Sequence, residues 1–337
     1  MKDLFTQSRE TGTRTLDQQI LELFREKQGG LVSGEELSGA LQVSRTAVWK
    51  HIKSLKELGY RIEAVPSQGY RLVSSPDLLI PAEIAAGLKS ARIGRDIICF
   101  RETDSTNQVA FKLAEEGAEE GTVVVAEAQR RGKGRLGRRW ESPAGVNLYC
   151  SIVLRPPILP IKAAQLTFLS TVAVARAIAA TTSLRAFIKW PNDLLIDGRK
   201  VAGLLNEMSA ETEKVNFVVL GIGVNINMHL VQFPAGLRHP ATSLLLEGNR
   251  PVSRLAFTQA LLEALDALYD TYLLHGYGPV RDEWLARCNF IGRQVRISFQ
   301  EKELGGTAEG IDENGALLVR LADGKIERVL AGDVTIL

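Results

Sequence analysis

The sequence predicts a multi-domain α+β protein, because its secondary-structure signals change twice along 337 residues. Helical periods dominate the first part, short strand signals then alternate with helices, and strand signals alone follow after about residue 287. The chain is also longer than one typical domain of about 100–200 residues. We therefore expect three domains, at residues 1–75, 76–287 and 288–337.

Composition is typical of a folded globular chain. Hydrophobic residues make up 45% and charged residues 24%, which excludes the low-apolar, highly charged class of disordered proteins. The formal net charge is only +2. A nucleic-acid partner would therefore have to be bound by a local basic patch rather than attracted by the field of the whole molecule.

The cysteine, histidine and hydropathy patterns favour a cytoplasmic protein with no structural metal and no membrane segment. The three cysteines are far apart and lack a Cys-x-x-Cys pair, and the four histidines lack metal-ligand spacing. The N-terminal residues lack the apolar stretch of a secretion signal. The longest apolar stretch, residues 163–184, is interrupted by Gln165 and Arg176, so we expect a buried helix there.

Three helices are expected in the first domain. Residues 16–27 have a helical apolar period that stops at Gly29-Gly30. Ser33 and Glu36 form a capping box for a second helix, and Ser44 caps a third, which Gly59 ends. The expected inner faces are Leu16, Ile20, Leu23 and Phe24 in the first helix and Val48, Ile52 and Leu55 in the third. The short turn between the second and third helices indicates a helix-turn-helix.

A β-hairpin follows the third helix. Residues 60–72 alternate between polar and apolar side chains on both sides of a break at Pro66-Ser67-Gln68-Gly69. Linker signals then occur at Ser74-Ser75-Pro76 and at Pro81. The hairpin completes a winged helix-turn-helix domain.

The third helix and the hairpin form a local basic patch. Residues 44–71 contain six Lys or Arg and two Glu, a balance of +4 (6 − 2). The N-terminal residues of a recognition helix meet the major groove, where Arg45 could bind guanine while Ser44 and Lys50 contact phosphates. The DNA-binding candidates are Ser44, Arg45, Thr46, Trp49 and Lys50. A protein-interaction module with a solvated lysine face remains an alternative, and Trp49 fits either a DNA contact or packing under the wing.

The next two domains differ in their strand and helix content. Strands at 97–100, 123–126, 148–153 and 218–221 alternate with helices near 106–118, 163–181 and 254–274, which predicts a mixed α/β domain. Strands at 295–299 and 316–321 and a last strand ending at Leu337 follow. Turns are expected at Gly305-Gly306, at 312–315 and at Asp323-Gly324. This pattern predicts a small SH3-like β-barrel.

A glycine-rich basic loop follows the second strand of the central domain. Residues 129–140 contain three glycines interleaved with Lys133, Arg135 and Arg138, which suits wrapping a phosphate. The loop is not a P-loop, because the Gly-Lys-Ser/Thr ending and the following helix are missing. A basic surface loop, including one that touches nucleic acid, is the alternative.

Three further runs bring charge or small residues to turns and strand ends. In residues 189–193, Pro191 makes a turn that places Lys189 near Asp193, so the pair could bind phosphate and Mg²⁺ or form a structural ion pair. Residues 198–203 begin a strand with Lys200 beside small residues that leave room for a ligand. Residues 221–225 end a strand with two glycines, a weak nucleotide signature because no helix follows.

Five runs in order resemble one family, the biotin protein ligases. They are Asp104-Ser105-Thr106-Asn107, residues 132–138, residues 189–193, Gly198-Arg199-Lys200 and residues 221–225. The resemblance covers nearly the whole chain and extends to the bifunctional class, the biotin acetyl-CoA-carboxylase ligases that are also biotin operon repressors, which add a winged helix at the N-terminus. It implies that the central domain is of the biotin/lipoate ligase type.

The resemblance also implies an activity. A member of this class activates biotin with ATP and Mg²⁺ to biotinyl-5'-AMP and transfers biotin to a lysine of the biotin carboxyl-carrier domain of a carboxylase. Biotinyl-5'-AMP then acts as corepressor, and a homodimer bound to it occupies operator DNA of the biotin genes. A lipoate ligase and a ligand-sensing repressor with an inactive catalytic domain are the alternatives.

Roles for individual residues come from the same resemblance. The implied biotin-binding residues are Ser105, Thr106, Asn107, Gln129, Lys133, Gly134, Arg135 and Lys200. The implied ATP- and adenylate-binding residues are Arg138, Trp140, Lys189, Asn192 and Asn225. The implied catalytic residues are Lys200, Asp193, Lys133 and Arg135, with Asp193 also implied for Mg²⁺. Lys133 stands where the family commonly has arginine. A lysine is a point charge and lacks the two-pronged hydrogen bonding with which arginine binds a carboxylate or phosphate. From the residues alone, Ser105-Thr106 caps the following helix.

Overall fold

The computed structural model describes residues 16–237, 239–299 and 302–337. The chain divides into two compact units, Met1–Glu83 and Ile84–Leu337. The second unit contains both the mixed α/β region and the C-terminal strands. The predicted class, a winged helix-turn-helix followed by an α/β region and a small all-β region, is confirmed, whereas the domain limits at residues 75 and 287 stay predictions.

The first unit contains the predicted helices and hairpin. These elements are α1 Leu16–Glu26, α2 Gly34–Leu41, α3 Arg45–Glu57, β1 Arg61–Val65 and β2 Gly69–Ser74. A short helix that was not predicted, α4 Pro81–Ala85, spans the limit between the two units. The inner face of α3 is buried as predicted. The inner face of α1 is rotated from the prediction, because Gln18 and Leu21 are buried beside Ile20 and Phe24. Leu16 and Leu23 are only half-buried.

Both predicted serine caps of the first unit are present. The Ser33 hydroxyl accepts a hydrogen bond from the amide of Glu36 at 3.0 Å, and the Ser44 hydroxyl accepts one from Ala47 at 3.1 Å. The Glu36 carboxylate lies 2.8 Å from Lys27 Nζ instead of completing the reciprocal capping box. Each cap satisfies one amide that the first helical turn would otherwise leave without a partner.

The second unit is built on a seven-stranded sheet with the strand order β3-β4-β5-β9-β8-β7-β6. Its strands are β3 Ile97–Phe100, β4 Val123–Ala126, β5 Leu148–Leu154, β6 Phe187–Lys189, β7 Asp193–Ile196, β8 Arg199–Ala210 and β9 Val215–Val224. Only β3 and β4 pair in parallel in this sheet; the other neighbours are antiparallel. This order places β9 between β5 and β8, although β5 is far from both along the chain.

Helices cover the sheet and fill the core. They are α5 Thr106–Glu115, α6 Ala164–Thr181, α7 Leu244–Gly248, α8 Arg254–His275 and α9 Gly278–Ala286. Helix α6 packs against α8 and α9, and α5 packs on β4, β5 and β9. The segment Pro160–Thr181 is long and apolar enough to cross a membrane, but 67% of its most apolar window is buried inside the unit. That burial is typical of a core helix, which is what the interruptions of the apolar stretch by Gln165 and Arg176 predicted.

The C-terminal strands form a five-stranded antiparallel sheet with the order β13-β12-β11-β10-β14. They are β10 Gln294–Phe299, β11 Lys302–Ile311, β12 Leu317–Arg320, β13 Ile326–Val329 and β14 Asp333–Ile336. The predicted turn at Gly305-Gly306 is wrong, because both glycines lie inside β11. A Cβ at Gly306 would overlap the carbonyl oxygen of Arg320 on β12, so close strand packing accounts for this glycine. Closure into an SH3-like barrel stays a prediction.

The C-terminal sheet is joined to the core of the second unit through one turn. The indole nitrogen of Trp190 donates to the carbonyl of Gly315 at 3.1 Å, and Gln165 donates to the carbonyl of Glu313 at 2.6 Å. Asp312 accepts hydrogen bonds from the amides of Asn314 and Ala316, which fixes the turn predicted at 312–315. The C-terminal residues are therefore held against the α/β region.

Candidate active site and DNA-binding surface

A cleft of about 400 Å³ lies beside β8 and β9 and collects most of the predicted site residues. The predicted residues that line it are Ser105, Thr106, Asn107, Gln129, Lys133, Gly134, Arg135, Arg138, Trp140, Asn192, Asp193, Lys200 and Asn225. Lys189 was also predicted but is not among the lining residues. It lies on β6 in register with Asp193. Segments far apart in sequence thus meet in one cleft.

Gln129 connects the start of α5 to the end of the basic loop. Its side-chain oxygen accepts a hydrogen bond from the Thr106 amide at 2.9 Å, and its nitrogen donates to the Ser142 hydroxyl at 3.0 Å. Ser105 occupies the N-cap position of α5, but its hydroxyl makes no capping hydrogen bond. The predicted Ser105 cap is therefore wrong, because its hydroxyl does not bind the second or third amide of α5, as a capping serine would. Ser105 instead lines the cleft.

A buried polar network lies beneath this floor. The hydroxyl of Ser151, on β5, lies 2.8 Å from Thr106 Oγ1 and 2.6 Å from Asn107 Oδ1. The Asn107 amide nitrogen donates to the carbonyl of Leu205 at 3.0 Å and to the carboxylate of Glu207 at 2.8 Å. Both ends of the Asn107 amide are thus held by protein groups, so its side chain orders the floor of the cleft.

The basic loop has more local structure than its glycine content predicts. Its two arms pair through a bridge between Lys133 and Arg139, and the Gly134 amide donates to the Arg138 carbonyl at 2.7 Å. A short 3-10 turn spans Arg135–Gly137, with Leu136 in the left-handed region at φ 57°. Hydrogen bonds within the predicted loop therefore form a small hairpin.

Trp140, at the end of this loop, lies on two glycines that pair across β8 and β9. A Cβ at Gly223 would be 2.7 Å from the indole ring, and one at Gly203 would be 2.9 Å from it. The Lys200 Nζ stands 5.4 Å from the ring centroid. The indole nitrogen is buried, and none of the residues that the structure describes is its hydrogen-bond partner. The two glycines therefore provide a bare strip of sheet that accepts a flat ring.

Charged side chains in the cleft are arranged in pairs. Lys200 Nζ lies 2.6 Å from Asp193 Oδ1, Arg138 binds Asp333 with a shortest distance of 2.6 Å, and Arg139 lies 3.2 Å from Glu141. The lining cations are Lys133, Arg135, Arg138, Arg139 and Lys200, and the lining carboxylates are Glu141, Asp193 and Asp333. The lining charge is therefore 5 − 3 = +2, which favours an anionic ligand.

Two arginines differ in their surroundings. Burial lowers the pKa of the Arg135 guanidinium, which donates to Asn192 Oδ1 at 3.1 Å. The hydrogen bond to Asp333 raises the pKa of the Arg138 guanidinium. Both groups remain cations, because an arginine guanidinium is not deprotonated in proteins. Arg135 is thus a partly desolvated cation, whose interactions with an anion are stronger than those in water.

Sequence reasoning missed several lining residues. Asp333 comes from β14, and Met228, Phe233, Leu237 and His239 come from the segment between β9 and α7. No local sequence signal marks Asp333 as a cleft residue. Ser151, which lies beneath the floor and not in the lining, did carry a signal, since it is the one serine in a strand of otherwise apolar and aromatic residues.

The first unit places the predicted DNA-binding residues on one surface. A shallow depression joins the start of α2, Arg45 and the wing residues 64–70. Arg45 is exposed and lies 2.8 Å from Glu35. Trp49 is 53% exposed, with Lys53 Nζ 5.9 Å from its ring, so it does not pack beneath the wing. Thr46 and Lys50 are also exposed.

Comparisons with known proteins agree with the folds of both units. Residues 99–225 match the Biotin/lipoate A/B protein ligase family, residues 17–71 match an HTH domain, and residues 290–337 match the biotin protein ligase C terminal domain. The bifunctional ligase/repressor BirA of Bacillus subtilis is 39% identical over 320 residues, which cover 95% of this chain and 98% of the relative.

Two further relatives are biotin ligases. The biotin acetyl-CoA-carboxylase ligase of Paracoccus denitrificans is 40% identical over 228 residues, covering 65% of this chain and 91% of the relative. The solved biotin protein ligase from Aquifex aeolicus in complex with biotin and ATP has a TM-score of 0.62 at 26% identity, covering 72% of this chain and 99% of that chain. The chain therefore belongs to the biotin/lipoate A/B protein ligase family, among the bifunctional ligase/repressors.

Proposed function

We propose that this chain activates biotin with ATP to biotinyl-5'-AMP in the cleft and then transfers biotin to a lysine of an acceptor protein. One observation carries the proposal. The cleft combines a rigid polar floor at Thr106 and Gln129 with a net charge of +2 that includes Arg135 and Lys200. A neutral hydrogen-bonding ring and an anionic phosphate chain can therefore bind side by side. The relatives named as biotin ligases favour biotin over lipoate.

Biotin is proposed to bind with its ureido ring on the floor of the cleft. Ser105, Thr106 and Gln129 supply hydroxyl and amide groups there, with Asn107 ordered beneath them by Ser151. The biotin carboxylate then extends toward Lys200, and Lys133, Gly134 and Arg135 close the loop over it. The hydroxyl of Ser105 is suited to this role because α5 does not use it as a cap.

ATP is proposed to bind along the loop and the two sheet glycines. Arg138 meets the phosphates, Trp140 flanks adenine, and Asn225 closes the adenine site from the end of β9. The Asn225 side-chain nitrogen already donates to the Thr242 carbonyl at 3.0 Å, and its backbone amide and carbonyl bind Val201 and Leu244, so its side-chain oxygen is the group left for the ligand. Asn192 contributes by orienting Arg135 at 3.1 Å.

The first chemical step joins two anions. An oxygen of the biotin carboxylate attacks the α-phosphorus of ATP, the bond from that phosphorus to the β-phosphate oxygen breaks, and pyrophosphate leaves. Lys200 and Arg135 lower the repulsion between the two anions and hold them in line. Because both cations are held by neighbours before a ligand arrives, little reorganisation is needed. Lys200 is thus the central catalytic residue.

A divalent cation is expected to accompany ATP, and the donor set of the cleft fits Mg²⁺ in that form. Mg²⁺ prefers carboxylate and phosphate oxygens and retains several waters, so one carboxylate beside a triphosphate is sufficient. Asp193 lines the cleft and provides that carboxylate. Across residues 16–237, 239–299 and 302–337 there is no cluster of three His, Cys, Asp or Glu that could hold a metal alone. When bound, Mg²⁺ supplies positive charge that offsets the charge of the phosphates.

The second step forms an amide. The neutral amine of the acceptor lysine attacks the acyl carbon of the mixed anhydride, the bond from that carbon to the phosphate oxygen breaks, and AMP leaves. The amine loses a proton, and Asp193 is the proposed acceptor of that proton. The expected acceptor is the biotin carboxyl-carrier domain of a carboxylase.

The first unit is proposed to repress biotin genes when the cleft holds biotinyl-5'-AMP. Arg45 reads guanine in the operator, Thr46, Trp49 and Lys50 contact the same groove and its phosphates, and Ser44 contributes through the helix N-terminus. A homodimer of adenylate-bound chains would present two such units to a palindromic site. We propose that the protein works in the cytoplasm, where ATP, operator DNA and a carboxylase acceptor would be available to it.

Biotin-dependent exchange of labelled pyrophosphate into ATP tests the catalytic proposal. We expect exchange with biotin and none with lipoate in its place. Exchange that depends on lipoate would favour a lipoate ligase. Absence of exchange with either acid, in a folded protein that still binds biotin, would favour a ligand-sensing repressor.

A further inference from the structure

Arg138 is held at the cleft by a carboxylate from the other end of the chain. Its two terminal nitrogens face the two oxygens of Asp333, with Nη2 to Oδ2 at 2.6 Å and Nη1 to Oδ1 at 3.4 Å. The Arg138 side chain is 44% exposed and that of Asp333 is 18% exposed. Both residues line the cleft. The pair therefore borders the space where a ligand would bind.

The two partners differ in how much freedom their side chains have. The Arg138 backbone is bonded within the loop hairpin, but its long side chain is more exposed than that of Asp333. Asp333 begins β14 and pairs in register with Ser298 of β10. The next residue, Val334, is fully buried, and a Cβ at Gly332 would lie 2.7 Å from an Ile297 methyl carbon. Asp333 is thus the anchored partner of the pair, and Arg138 is the adjustable one.

The hydrogen-bond capacity of arginine makes the pair compatible with a ligand. A guanidinium has five N–H donors, and a bidentate contact with one carboxylate uses two of them. Three donors of Arg138 remain available for other acceptors. The guanidinium can therefore stay on Asp333 while it contacts phosphate oxygens.

We propose that Asp333 is a positioning residue for ATP, which holds Arg138 at the cleft so that its remaining donors meet the phosphates. The C-terminal sheet would then complete the nucleotide site without touching the nucleotide through Asp333. This inference rests on the proposed contact between Arg138 and ATP. It assigns the carboxylate a role through another residue, not a contact with the reacting atoms.

The direction of the change in the KM for ATP distinguishes a positioning role of Asp333 from a simple effect of its charge. Removing the Asp333 carboxylate changes the lining charge of the cleft from +2 to +3 (5 − 2). Charge alone would then strengthen binding of an anion such as ATP. Loss of positioning leaves Arg138 free to sample many rotamers and weakens ATP binding. The two explanations give opposite changes in the KM for ATP.

The experiment compares Asp333→Asn and Asp333→Ala with the wild-type chain in the pyrophosphate exchange assay. We expect the KM for ATP to rise about fivefold, as for the loss of a well-aligned ion pair near the surface, with the KM for biotin unchanged. The matched control is Glu309→Gln. Glu309 binds Arg320 in a similar two-oxygen pair on the same sheet, at 2.8 and 3.2 Å, but does not line the cleft. Its KM values should equal those of the wild type.

A double-mutant cycle with Arg138→Ala tests the positioning role of Asp333 separately from the proposed contact between Arg138 and ATP. If Asp333 acts through Arg138, the double variant should have the same KM for ATP as Arg138→Ala alone. An unchanged KM for ATP in Arg138→Ala would remove the proposed role of Arg138 itself. If Arg138→Ala raises that KM but the Asp333 variants leave it unchanged, lower it, or add to it independently, the positioning role of Asp333 is overturned.

Discussion

Ser151→Ala is expected to weaken biotin binding far more than ATP binding. The Ser151 hydroxyl is fully buried and lies within hydrogen-bond distance of both Thr106 Oγ1 and Asn107 Oδ1. Alanine removes the hydroxyl and leaves these two buried groups without that partner. Thr106 lines the cleft, so the loss acts directly on the groups proposed to bind the ureido ring.

The structure sets the scale of this effect. Leaving a buried polar group without its partner costs about 1–3 kcal/mol. If about 1.4 kcal/mol of that cost appears as lost affinity, the KM for biotin rises about tenfold. The nucleotide contacts proposed at Arg138 and Trp140 do not include Ser151. The KM for ATP should therefore change by less than about twofold.

The chain offers a matched control in Ser170→Ala. Ser170 is also fully buried, but its hydroxyl donates to the carbonyl of Leu166 in its own helix. Both variants lose a buried hydroxyl, so urea unfolding reports any general loss of stability in each. Pyrophosphate exchange at saturating ATP then gives the KM for biotin. Equal KM values for biotin in the Ser151 and Ser170 variants would refute the positioning of the floor by Ser151.

Further predictions concern the catalytic cation, the sheet glycines, the recognition helix and the control of repression. Lys200→Ala should lower pyrophosphate exchange about 10- to 150-fold with an unchanged circular dichroism spectrum, because a charge-assisted contact worth about 1.5–3 kcal/mol is lost at the reacting groups; near-normal exchange would contradict its role. Gly223→Ala should raise the KM for ATP, since the added Cβ would meet Trp140, whereas Gly248→Ala, with its nearest contact at 3.7 Å, should not; equal KM values would argue against the Trp140 site. Arg45→Ala should lose about 1–3 kcal/mol of operator affinity in a binding titration while biotinylation continues at the wild-type rate; unchanged affinity would show that Arg45 reads no base. Biotinyl-5'-AMP should promote dimers in sedimentation and tighten operator binding at fixed salt more than biotin or ATP alone, and no difference among the ligands would separate the ligase from repression.

Local signals in the sequence were reliable where the partner lies within a few residues. Ser33 and Ser44 cap their helices because the amide that each needs is three positions ahead. Apolar runs likewise predicted β4 and β5, which are buried at every position. The residues of the cleft could be predicted because the sequence segments that carry them combine charged and small residues at a turn or a strand end.

Signals failed where the deciding partner is distant along the chain. The amide of Thr106 binds Gln129, 23 positions away, and Gly306 faces the backbone of Arg320 on the next strand. Ser151 meets Asn107 because α5 packs on β5, and no local pattern connects these two residues. Asp333 reaches the cleft only because β14 pairs with β10 at the edge of a second sheet.

The central claim is that the cleft makes biotinyl-5'-AMP, and direct detection of that compound tests it. The purified chain would be incubated with biotin, ATP and Mg²⁺ without an acceptor, and the small molecules analysed by mass spectrometry. We expect biotinyl-5'-AMP and pyrophosphate in equal amounts from the wild type, formation about 10- to 150-fold slower with Lys200→Ala, and consumption of the adenylate when a biotin carboxyl-carrier domain is added. Biotinylated acceptor formed with ADP and phosphate as products, or adenylate made equally by Lys200→Ala, would contradict the account.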